Sequence, residues 1–183
     1  MEILYAKCIL YAYPHLLALA EQIDELVEKK ALASMTDYTP CLFQCENIID
    51  LTNQKARIFQ LYNFVNELLA KLTEEELCLL DYKYFKNALG KDVSNLDFTS
   101  RSYFRKQVKI AEKFAEKFFT NYINCKSFEQ KYLSMDFFKE MLNRVKDMDQ
   151  ISKKNKPMIE KIALKNNKKN TYSNQNLQNS IAV

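Results

Sequence analysis

Glycine occurs once, at Gly90, and proline only three times in 183 residues. Hairpin turns and bulged strands draw on those two residues, so a sheet-rich fold has little to be built from. Histidine is represented by His15 alone, and no cysteine, serine or carboxylate stands at a fixed spacing from it. Five cysteines, Cys8, Cys41, Cys45, Cys78 and Cys125, make no even disulfide framework and read as reduced thiols that act mostly as small hydrophobes. Cys41 and Cys45 share a helical face, but there is no second cysteine pair to complete the four ligands of a structural zinc site, and no metal is expected. The apolar start, MEILYAKCILYAYPHLL, is interrupted by Lys7 and Pro14 and is followed by no small-residue cleavage site. It reads as neither a signal peptide nor a membrane span, and a cytoplasmic location is expected. A phosphate-binding loop, an acid/base pair and a nucleophile constellation are all missing, so no enzyme, cofactor or small-molecule substrate is expected.

What the chain does have is helix-forming material. Leu, Glu, Lys, Ala and Gln recur throughout, and 48% apolar residues with 13% aromatics can build a core without disulfides or metals. The net charge of +4 hides an asymmetry. Residues 1–76 carry 6 Lys/Arg against 12 Asp/Glu and residues 77–183 carry 21 against 11, giving −6 and +10. A basic half on a near-neutral chain suits a polyanionic partner.

The periodicities predict an all-α fold. Residues 3–33 read as one helix kinked at Pro14, with Leu16, Leu19, Ile23, Leu26 or Val27, and Ala31 inward and an acidic outer side. After a polar break at Ser34–Thr39, Thr39-Pro40 reads as an N-cap with proline in the first helical position. A long helix then runs to about Lys71, its second half carrying Ile58, Leu61, Val65, Leu68 and Leu72 at alternating spacings of three and four, the seam of an antiparallel helix pair or short coiled coil, with the first helix as the expected partner. Thr73–Glu76 matches a capping box with glutamates suited to the helix dipole. Leu77, Leu80 and Tyr84 continue that helix until Gly90 stops it. A short helix over Lys91–Leu96 is predicted next, then a helix opening at Thr99 or Ser100, with Phe104, Val108, Ala111, Ala115 and Phe118 inward and Arg105, Lys106, Lys109, Lys113 and Lys117 opposite. A connection over Asn121–Gln130 leads to a last helix from Ser134, with Phe138, Met141 or Leu142, and Val145 inward. The resulting division is a helical hairpin (1–71), a helix-turn-helix-like three-helix unit (72–120), a closing helix (121–150) and a Lys/Asn-rich tail (151–183) expected to be disordered.

Helix, turn, short segment, Ser/Thr cap and basic helix follow one another in the order of a helix-turn-helix, whose second helix reads the major groove. The run LTEEELCLLDYKYFK with FTSRSYFRKQVKIAEKFAEKF resembles the fourth region of sigma-70-type factors and the ArpU-like phage transcriptional regulators, over about 72–119. NIIDLTNQKARIFQL is similar to the helical lead-in of such regulators. The middle segment, KDVSNLDF, is shorter and more polar than the family's. The resemblance implies a sequence-specific regulator binding double-stranded DNA through Ser100, Arg101, Ser102, Arg105, Lys106, Lys109 and Lys113. The 40–71 helix is expected to pair with another copy or with RNA polymerase. The alternative is a non-catalytic α-helical interaction module that no longer binds DNA. As a whole, the chain resembles an uncharacterised group of small helical proteins of low-GC Gram-positive bacteria, which implies no activity.

Overall fold

The computed structural model describes residues 1–33, 40–86, 88–90 and 100–151, and all regular structure among them is helical. The predicted 91–96 helix, the 34–39 break and the tail from 152 onward lie outside the described residues. The chain divides into a compact unit of residues 1–142 and a second unit of 143–183, of which 143–151 are described.

Pro14 does what its missing N–H dictates. Helix α1 (Glu2–Ala12) passes through a single 3-10 turn, Tyr13–His15, into α2 (Leu16–Ala33). Helix α3 (Cys41–Leu69) packs along α2. Its expected seam is buried at Ile58, Leu61, Val65 and Leu68, with Leu72 half-buried beyond the helix end. The start differs from expectation by one residue. Pro40 is itself the N-cap, with ψ 128 in the extended range, and Cys41 opens the helix.

Helix α4 (Glu74–Leu80) starts on the expected capping box: Thr73 Oγ1 accepts from the Glu76 N–H at 3.3 Å and Glu76 Oε2 accepts from the Thr73 N–H at 3.0 Å. It does not run on to Gly90. A π-helical turn over Asp81–Phe85 follows, and Lys86, at φ 53, ends it in the left-handed region. The stop comes early because Asp81, fully buried, turns its carboxylate onto the Leu89 N–H at 3.0 Å, giving the departing backbone a side-chain partner in place of another helical turn. Gly90 also has positive φ, at 64, but sits past the helix end.

Helix α5 (Ser100–Asn121) packs on α1 and α3, burying Ile110, Ala111, Phe114, Ala115 and Phe118. Helix α6 (Cys125–Tyr132) opens on Asn124, whose Oδ1 caps the Ser127 N–H. It joins α1 to α3. Tyr5 donates to Glu129 at 2.5 Å and Tyr132 donates to the Arg57 carbonyl at 3.2 Å. A last helix, α7 (136–151), buries Phe138 and Leu142, and the Phe138 carbonyl accepts from the Cys8 thiol at 3.8 Å.

The apolar start of the chain belongs to this core. By length and composition the helical run Glu2–Ala33 could cross a membrane, with an 18-residue window of mean hydropathy 1.4, yet half of that window is buried inside the protein. Tyr5, Ala6, Cys8, Ile9, Leu10 and Ala12 are buried.

Candidate nucleic-acid interface

The candidate face lies on the first three turns of α5. Its inward seam differs from expectation at that end. Phe104 is 62% exposed and Val108 54%, while Gln107 is buried. The neighbour that meets these turns is the π-helical turn after α4, and it approaches through Tyr103 and Gln107 on the flank of the expected stripe. Lys83 donates to Gln107 Oε1 at 2.9 Å, and Tyr82 meets Tyr103 edge to face at 6.0 Å. A polar residue thus takes the inward position because a lysine reaches it, and Phe104 and Val108 face outward. From Ala111 onward the expected stripe is buried.

The cations divide into two sets. Lys106 forms an ion pair with Glu75, and Lys113 donates to Glu76 at 2.6 Å. The acidic residues of the first turn of α4, of which Glu76 also closes the capping box, therefore hold two lysines of α5 against the α4 N-terminus. Burial pushes the Glu76 carboxyl up, but the bonds from Lys113 and from the Thr73 backbone outweigh it and hold the group below its ordinary value. Arg105 and Lys109 lie on the outer side, both exposed, in no ion pair among the described residues. With Phe104 and Val108 they form a face of two cations and two apolar side chains at i, i+1, i+4 and i+5. Glu112 and Glu116, both exposed, continue the same side toward the C-terminus and reverse its charge.

Ser102 is half-buried and has a partner of its own, and the side chains of Ser100 and Arg101 lie outside the described residues. Of the seven expected site residues, the structure leaves two outward and in no ion pair among the described residues, Arg105 and Lys109, and ties two, Lys106 and Lys113, to α4. Comparison with family models, curated proteins and solved structures gives no match for this chain.

Other candidate chemistry is dispersed. His15 is exposed on the 3-10 turn. Among the described residues no three of His, Cys, Asp and Glu come together to hold a metal ion. Cys8 is buried, and burial raises its thiol to about 12, which removes it from nucleophilic chemistry near neutral pH. Cys41 and Cys45 are exposed, and the hydrogen bond between them raises the Cys45 thiol. Sequence reasoning missed Glu75 and Glu76 as partners of the basic helix. Adjacent glutamates ahead of a lysine-rich helix are a signal of such pairing, but their capping role accounts for them locally.

Proposed function

We propose that the protein is a cytoplasmic transcriptional regulator that binds double-stranded DNA with the N-terminal half of α5. The observation that carries this reading is the pair Arg105 and Lys109, exposed one turn apart without a carboxylate bonded to either among the described residues. One turn of helix brings both toward the same groove, where arginine pairs with guanine or phosphate and lysine with phosphate. Phe104 and Val108 beside them suit the apolar edge that thymine presents in the major groove.

A second reading is favoured by Glu75 and Glu76. A helix two of whose lysines, Lys106 and Lys113, are held by the neighbouring element and whose outer face exposes Phe104 and Val108 also suits a protein partner, and on this reading α5 is an interaction surface that has given up DNA.

Salt-titrated binding to duplex DNA separates the two. On the DNA reading, affinity falls steeply with salt, and Arg105→Ala with Lys109→Ala flattens the log–log slope by roughly 0.9 for each phosphate that is no longer neutralised. Glu75→Gln removes one negative charge beside this face and is expected to strengthen binding. Absence of binding at low salt, with the helical signal intact, removes the DNA reading and leaves the second.

A further inference from the structure

Among the described residues, the outer half of the α2–α3 hairpin has no core of its own. Among residues 24–33 and 41–57 not one is buried; Val27 and Leu51 are only half-buried between the helices, and Asp24 and Lys55 pair across them at 2.6 Å. Helices draw most of their stability from packing of an apolar face, and two helices alone bury too little to supply it. Yet the outer side of α3, turned away from α2, carries Leu42, Cys45, Ile49, Thr52, Ala56 and Phe59, spaced three, four, three, four, three. All six are exposed, Leu42 at 73%, Ile49 at 58% and Phe59 at 39%. Asn63 continues the alternation and is exposed as well. This is a heptad seam, sustained over three heptads and facing solvent, on the opposite side of the helix from the seam that α2 and the core cover.

We infer that this outer seam of α3 pairs antiparallel with the same seam of a second copy of the chain. No position in the seam is charged, so nothing in it repels its own copy, which an isologous contact requires. One register makes the sizes agree: Leu42 against Phe59 of the second copy, Cys45 against Ala56, and Ile49 against Thr52, with the two-fold axis between the last two. The overlap spans residues 42–59, about 26 Å at 1.5 Å per residue. Where it ends is set by the chain itself. Beyond Asn63, Tyr122 packs on Phe64 at 4.7 Å between ring centres and donates to Glu67 at 3.0 Å, so the chain just after α5 stands beside α3 from that point. An antiparallel pair places the two bundles at opposite ends of the overlap, where they do not collide; a parallel pair brings both to the same end.

The pairing does not depend on DNA binding by α5, and salt distinguishes them. An uncharged seam holds or strengthens at high salt, whereas a phosphate contact weakens. Sedimentation velocity on the full-length chain in reducing buffer is expected to give a dimer in both low and high salt. Ile49→Glu, at an exposed position outside the buried core, is expected to give a monomer that stays folded and loses only part of the helical circular dichroism that the outer hairpin contributes. A wild-type monomer at the highest soluble concentration overturns the inference, as does a dimer that Ile49→Glu leaves intact. The register has its own readout. On mild oxidation the new thiol of an Ala56→Cys variant is expected to link to Cys45 of the second copy, mapped by peptide mass. Cys45 linked only to its own counterpart, or no link to the new thiol, overturns the antiparallel arrangement.

Discussion

Asp81 governs how α4 ends. It is fully buried, and its carboxylate accepts the Leu89 N–H eight residues on. Truncation leaves a backbone donor without that acceptor, so Asp81→Ala is expected to cost about 1–3 kcal/mol, measured by urea denaturation. Three tyrosines tie the molecule together and set its alkaline limit. The bond to Glu129, with burial second, raises Tyr5 to about 12; burial first, then Tyr62, raises Tyr13 to about 12; and burial raises Tyr132 to about 12. A group whose folded value lies above its unfolded value of 10.0 stabilises the fold fully below pH 10.0, and that contribution is lost as pH rises toward 12. Stability is therefore expected to fall between those limits, with tyrosinate absorbance rising in step with loss of the helical signal. Ionisation of Tyr5, Tyr13 and Tyr132 near 10 in a fully folded chain, resolved by Tyr→Phe substitution at each, would contradict this.

At the scale of elements, the N-terminus of α4 is where two requirements meet. Thr73 and Glu76 close the capping box, and Glu76 also accepts from Lys113 while Glu75 pairs with Lys106. Thr73→Ala removes the cap and is expected to cost about 1 kcal/mol. The ion pairs are half-exposed, and exposed pairs contribute little to stability. Their consequence is for the charge that α5 presents. Because the folded Glu76 carboxyl titrates below its ordinary 4.5, its stabilising effect is present above that value and declines as pH falls through the lower folded value. Glu76→Gln is expected to flatten this acid dependence, read as the pH profile of the thermal midpoint. The capping box was legible from T-x-x-E alone, since it depends on four consecutive residues. The pairing of those glutamates with α5 depends on a packing of two helices that no spacing within either one specifies.

At the scale of the whole molecule, α1 is central. Its apolar run packs against α5, and α6 bonds to it through Tyr5 and to α3 through Tyr132. Phe118, fully buried and stacked on Phe114, lies in this core. Phe118→Ala is expected to cost about 3–5 kcal/mol, a large share of the ~5–15 kcal/mol that holds a domain together, and to lower the thermal midpoint accordingly. The sequence by itself determined the helical class, the break at Pro14, the capping box, and the inner seam of α3. Each of these follows from backbone chemistry or from a period within one helix. Only the tertiary structure decided which lysines of α5 remain outward, that Phe104 and Val108 yield the inward position to Gln107, and that α3 carries a second, uncovered seam. Those outcomes depend on which neighbour reaches a given side of a helix. A period specifies how side chains are distributed around a helix; the element that comes to lie against them, and the faces it leaves bare, follow from the packing of the whole chain.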